Sequence, residues 1–224
     1  MRGFAMLMLA LALLAAACGS TKHTSAPARK PIVVAALGDS ITAGAPGYNP
    51  SSGMAKLLGE GQVPKSQWEY WAQQKDPRLV FRNCGVFGER TDEIARRLVS
   101  CGRGADVLVI QGGVNDLAQG RTPASAAGNL RKMVERGKAL GPKVEIAELI
   151  PWDNGYPTFA PKIVALNRMI HAIGRAEHVR VLPFYSVLED PTRPGRTKNA
   201  WTAEGDHPSV QGYRRLGELG FRMP

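Results

Sequence analysis

Residues Val107-Leu108-Val109-Ile110 are apolar at every position, and so are all six residues of 32–37. A strand with one wet face alternates apolar and polar residues. A strand apolar on both faces has to be covered on both, which is the situation inside a parallel sheet flanked by helices. The rest of the chain supplies such helices. Residues 65–74, 91–100, 122–140, 158–177 and 208–219 read as helices, with further helix around 53–59. They alternate with strands expected at 32–37, 78–83, 105–111, 143–150 and 179–183. Thr91 reads as an N-cap, with Asp92 and Glu93 in the first turn and Arg96-Arg97 near the end, as the helix dipole favours. Thr122-Pro123 opens the next helix and Gly141-Pro142 stops it. The helix over 158–177 lines up Ile163, Leu166, Met169, Ile170 and Ile173. The expected fold class is α/β: a three-layer αβα sandwich around a five-stranded parallel sheet, one domain over 31–224.

The chain ahead of that domain has a different character. Met1-Arg2 gives a positive start, residues 4–14 are apolar, and Ala15-Ala16-Ala17 precede Cys18. Residues 1–18 read as a secretory signal, too short for a stable membrane span. The small residues ending in cysteine resemble a bacterial lipoprotein lipobox, with Ala15 where leucine is usual. That resemblance implies lipidation at Cys18 and an exported protein of the periplasm or cell envelope, anchored to the membrane. The competing reading is an ordinary cleaved signal peptide with a stray cysteine. Residues 19–30 are polar and carry Pro27, a flexible tether that also holds His23. In an exported chain, Cys84 and Cys101 are either a disulfide or two buried thiols.

The 29 basic and 19 acidic residues give a formal charge of +10. An exported basic protein suits anionic lipid or wall polymer, although a well-solvated surface is the plainer reading. The cations are scattered rather than gathered with aromatics, and the export signal argues against nucleic acid.

Four short stretches sit at expected strand ends or before the last helix, on the edge where open α/β sheets bind ligands. They are Gly38-Asp39-Ser40, Asn83-Cys84-Gly85-Val86-Phe87-Gly88, Gly112-Gly113-Val114-Asn115-Asp116 and Glu204-Gly205-Asp206-His207-Pro208. Taken singly, each is a turn, a cap or a helix lead-in. Together and in this order they resemble the SGNH (GDSL) hydrolase family, over 37–212.

The resemblance implies a flavodoxin-like SGNH hydrolase fold and a serine esterase acting on short-chain acyl or acetyl esters. Its serine falls on Ser40, its glycine on Gly88, its asparagine on Asn115 and its histidine on His207. His207 would take the Ser40 proton. The Ser40 and Gly88 N–H groups and the Asn115 amide would hold the oxyanion. The family's Asp-x-x-His becomes Glu204-x-x-His207 here, so Glu204 is expected to orient the imidazole. Asp206 is the competing acid, and a Ser-His dyad a third arrangement.

No His/Cys/Asp cluster has metal-ligand spacing, so neither metal nor cofactor is expected. The glycines around Gly113 do not match a dinucleotide fingerprint. His171 and His178 read as structural or solvated. Trp152, Tyr156 and Phe159 form an aromatic cluster after the fourth strand, placed to line an acyl or sugar pocket or to pack beneath a loop. Expected partners are a small-molecule or glycan ester and, through Cys18, the membrane. The alternatives are a deacetylase of cell-envelope polysaccharide and a catalytically silent envelope lipoprotein that only binds.

Overall fold

A computed structural model describes residues 30–58 and 61–223. The signal segment, Cys18 and His23 lie outside the described residues. Strands β1 (Ile32–Gly38), β2 (Leu79–Gly85), β3 (Val107–Ile110), β4 (Lys143–Ala147) and β5 (Arg180–Leu182) form one sheet in the order β2-β1-β3-β4-β5. Every pairing is parallel, and the register sets Leu37 opposite Cys84 and Ile110. The helices are α1 (Ser40–Ala43), α2 (Ser52–Leu58), α3 (Trp68–Lys75), α4 (Thr91–Arg96), α5 (Leu98–Gly102), α6 (Val114–Ala118), α7 (Pro123–Ala139), α8 (Ala160–Glu177), α9 (Phe184–Leu188) and α10 (Val210–Arg215).

The period of two along each strand sorts the core into two layers. Ala35, Leu37, Leu108, Ile110, Val144 and Ile146 face α4, α5, α7 and α8, where Ile94, Leu98, Leu130, Met133, Ile163 and Leu166 are buried. Val34, Ala36, Val107, Val109 and Ala147 face the other way, against Ile41, Trp68, Phe184, Tyr213 and Leu216. The sandwich expected from doubly apolar strands is the one found.

Several boundaries differ from the sequence reading. β1 runs one residue past the expected 37, to Gly38, which pairs with Gly85. The fourth strand stops at Ala147, because Asn167 of α8 takes both the N–H and the carbonyl of Leu149, at 2.8 and 3.0 Å. The helix expected over 91–100 breaks at Arg97 into α4 and α5. Thr91 is not the cap. Arg90 occupies that place, while the Thr91 N–H and hydroxyl both donate to buried Asp116 at 2.8 Å. Pro208 precedes α10, whose N-cap is Ser209, accepting from the Gly212 N–H at 3.2 Å. The short helices α6 and α9 were not anticipated. Cys84, near the end of β2, and Cys101 in α5 form a disulfide with Cα atoms 6.2 Å apart.

Candidate active site

Ser40 is the first residue of α1, immediately past β1. Two features force that abrupt turn. The Asp39 carboxylate caps the helix, accepting the Ile41 N–H at 2.9 Å. Gly38 lets α1 and β3 close in, since a Cβ there would lie 2.1 Å from Thr42 Oγ1 and 2.6 Å from Gln111 Oε1. Gln111, one residue past β3, ties the turn together. Its Oε1 accepts from the Thr42 hydroxyl at 2.8 Å and from the Asp39 N–H at 3.4 Å, and its Nε2 donates to Asp39 Oδ2 at 3.1 Å. Asp39 is wholly buried, and burial pushes its carboxyl up to about 6 against the pull of those hydrogen bonds. Ser40 itself is 8% exposed.

The Ser40 hydroxyl lies 3.0 Å from His207 Nε2 across 167 positions of sequence. His207 Nδ1 faces Glu204 Oε1 in a close hydrogen bond. A proton on Nδ1, held by the carboxylate, leaves Nε2 as acceptor for the hydroxyl, the tautomer a general base requires. The turn carrying this pair folds on itself. The His207 carbonyl accepts from the Ala203 N–H at 2.9 Å, and the Thr202 hydroxyl accepts from the Gly205 N–H at 2.9 Å.

Asp206 points elsewhere. It accepts from Trp152 Nε1 at 2.5 Å and from Asn154 Nδ2 at 2.8 Å, so it pins the turn to the segment after β4. Of the two acids weighed from sequence, Glu204 therefore reaches the imidazole.

Gly88 follows β2 in a left-handed conformation, φ 74°, that glycine adopts without strain, and a Cβ there would meet nothing within 4 Å. Asn115 opens out of α6, and its Nδ2 donates to the Glu89 carbonyl at 3.0 Å. Glu89, next to Gly88, also holds Arg97 at 2.9 Å through Nε. The same guanidinium donates to the Gly38 carbonyl at 3.0 Å and to the Cys84 carbonyl. Arg97 thus joins the ends of β1 and β2 to the Gly88-Glu89 turn, and Glu89 passes the connection on to Asn115. Buried Asp116 fixes the other side of that turn through Thr91.

Sequence reasoning missed Gln111, Glu89, Arg97 and Trp152 as organisers of the site. A polar residue ending an apolar strand at Gln111 was the one available signal.

The aromatic cluster divides. Trp152 and Phe159 pack with centroids 4.8 Å apart against the core, while Tyr156 lies beneath Arg196. His171 is engaged 2.6 Å from Glu148, and His178 is an exposed left-handed cap of α8. Among the described residues, no three His, Cys, Asp or Glu side chains gather as metal ligands.

Comparison with known proteins agrees with this architecture. The model of the GDSL-like lipase/acylhydrolase family matches residues 36–215. Esterase TesA of Pseudomonas aeruginosa is 28% identical over 186 residues, covering 81% of this chain and 82% of its own. The lipase/acylhydrolase of Enterococcus faecalis superposes with a TM-score of 0.65 at 26% identity, covering 84% of this chain and 92% of that one. An acetyl-xylooligosaccharide esterase from Geobacillus superposes with a TM-score of 0.66 at 17% identity, covering 86% and 96%.

Proposed function

The chain belongs to the GDSL-like lipase/acylhydrolase family and is a carboxylic ester hydrolase, and from that premise we propose that it cleaves short-chain acyl or acetyl esters with Ser40 as nucleophile. The observation that carries this reading is the 3.0 Å contact between the Ser40 hydroxyl and an imidazole whose far nitrogen faces Glu204.

His207 Nε2 takes the hydroxyl proton as the oxygen attacks the ester carbonyl carbon. Negative charge develops on the carbonyl oxygen, and the Ser40 and Gly88 N–H groups with the free hydrogen of the Asn115 amide stabilise it. A single donor of this kind is worth about 10²–10³ in rate. The tetrahedral intermediate collapses as His207 gives its proton to the departing alcohol, leaving an acyl-serine. Water, deprotonated by His207, then attacks the acyl carbon, and the carboxylic acid leaves with Ser40 restored. Glu204 holds the tautomer and stabilises the imidazolium.

Acetylated glycan is the second reading. It is supported by the structural likeness to an acetyl-xylooligosaccharide esterase. We also propose, from residues 1–18, that the protein is exported, and that lipidation of Cys18 anchors it in the cell envelope.

Ser40→Ala tests the nucleophile. Ser40 Oγ contacts only His207 among the described hydrogen bonds, so the melting temperature should barely move while ester cleavage falls by about 10⁴-fold or more. Turnover near that of the parent would overturn the assignment. A profile across aryl esters and acetylated sugars separates the two substrate readings.

A further inference from the structure

Because all five strands run in parallel, the molecule has two distinct ends, and one of them carries a row of cations along the strand starts. Ser40, Gly88, Asn115 and His207 lie at the end where strands finish. Lys30, Arg78, Lys143 and Arg180 lie at the end where strands begin, at or just before the first residues of β1, β2, β4 and β5. Arg222 joins them: the Arg180 guanidinium donates to the carbonyls of Arg222 and Met223 at 2.9 and 2.7 Å.

Three clefts open along this end. One of about 420 Å³ is lined by Lys75, Arg78 and Arg222, one of about 390 Å³ by Lys138, Lys143 and Arg180, and one of about 550 Å³ by Arg180 and Arg222. The acids here are engaged. Asp76 pairs with Arg78 at 2.6 Å, Asp106 accepts the Val33 N–H at 2.8 Å, Glu177 pairs with Lys138 at 3.5 Å, and Glu145 is buried beside Arg180. Burial raises Glu145 to about 7, which weakens its charge near neutrality. The opposite rim mixes signs: Glu89 pairs with Arg97, Glu204 with His207, Asp206 accepts from Trp152 and Asn154, and Arg196 and Lys198 stand over Tyr156 and Trp201.

We propose that the end of the sheet where the strands begin docks on an anionic lipid bilayer, with the Ser40 rim facing away. The cations are spread from β2 to β5, a span of about 19 Å at the usual strand spacing, too wide for one phosphate and suited to an array of headgroups. Residues 1–29 join β1 at this same end, so an anchor in that segment and the basic face address the same surface. β1 spans about 20 Å from Ile32 to Gly38, which sets Ser40 at least about that far from the headgroups. The proposed esterase site therefore draws on esters from the aqueous side, soluble or borne on a polymer, and not on lipids of the bilayer beneath it. This last consequence rests on the reading of Ser40 as nucleophile, whereas the docking does not.

The test compares the full chain's partition onto phosphatidylcholine vesicles with and without phosphatidylglycerol, at low and high salt. An apolar leader or a lipid at Cys18 would add the same binding to both kinds of vesicle, so the excess on anionic vesicles is the readout. Lys30→Gln, Lys143→Gln and Arg222→Gln together should cut that excess by about 100-fold, near fivefold per charge. Lys65→Gln, Arg196→Gln and Lys198→Gln at the other rim should leave it within about threefold, and high salt should abolish it. An equal loss from the rim set, or no excess for the parent chain, overturns the docking face. Hydrolysis of a water-soluble aryl ester should proceed at the same rate on and off anionic vesicles. A site that the vesicles occlude overturns the orientation, and a chain without esterase activity still answers the binding arm.

Discussion

The two halves of the site are held in different ways. The half that carries Ser40, Gly88 and Asn115 is knitted into three strand ends by side chains that are buried or partly buried: Gln111 grips Asp39 and Thr42, Arg97 spans β1, β2 and Glu89, and Asp116 holds Thr91. The half that carries His207 is one self-folded turn, with the Glu204 side chain 42% exposed and the turn fastened outside itself through Trp152 and Asn154. The difference teaches where rigidity is needed. Oxyanion donors have to sit within tenths of an ångström of a charge that exists only briefly. An imidazole in contact with its hydroxyl tolerates a little more freedom, because it must accept a proton and then return it to another atom.

The largest effect after loss of Ser40 is expected at Arg97. Arg97→Lys keeps the charge but loses the fork that reaches two carbonyls and a carboxylate at once. The Gly88-Glu89 turn then loosens, and kcat should fall by about 10²-fold with KM within about twofold, since the donors act mainly on the transition state. A rise in KM with kcat unchanged would mean that Arg97 shapes a binding wall instead.

Next comes Glu204→Gln. Removing the charge from a buried triad acid costs about 10⁴, but water already solvates Glu204, so a loss of about 10- to 100-fold is expected. Asp206→Asn should cost only about threefold, because an amide oxygen can still accept from Trp152 Nε1. Steady-state kinetics on one aryl ester ranks all three. If Glu204→Gln costs more than Arg97→Lys, the exposed half carries more of the catalysis than its packing suggests.

The sequence made the fold legible because each apolar strand announced its own burial and each cap and Gly-Pro stop was local chemistry. The candidate site residues Ser40, Gly88, Asn115 and His207 were legible only through a resemblance: each block alone reads as a turn, a cap or a helix lead-in, and it is the four in order that point to a family. What the sequence concealed is the bracing. Arg97 looked like a cation at a helix end, the place the dipole favours, and only the approach of the Gly38 and Cys84 carbonyls turns it inward. Thr91 looked like a cap until Asp116, 25 positions away, claimed it. Asp206 adjoins His207 and Glu204 stands three residues before it, and the choice between them was made by Trp152 and Asn154 from a distant segment. Long-range partners have no local signature.

The smallest expected effect on rate, and the sharpest probe of the buried half, is Asp39→Asn. With its pKa raised from 3.8 to about 6, the native carboxyl keeps a proton that the unfolded chain has already released. Unfolding therefore becomes easier as pH rises from about 4 to about 6, and the loss levels off above that. A rise of that size corresponds to roughly 3 kcal/mol for one group, an upper bound for this one. Asparagine can still cap α1 at the Ile41 N–H, but its amide hydrogens face Gln111 Nε2, a donor, so the variant should begin at pH 4 about 1 kcal/mol less stable than the parent. That deficit should shrink and then reverse by pH 7, because asparagine has no proton to lose. Denaturant unfolding of both chains from pH 4 to pH 7 reads the difference directly, and the Glu145 carboxyl and that of Glu69 in α3, which burial also pushes up, are common to both and cancel. A deficit that stays constant across the range would mean that water reaches the foot of α1 and that the nucleophile half is no drier than the histidine turn, and the contrast between the two halves would then have to be given up.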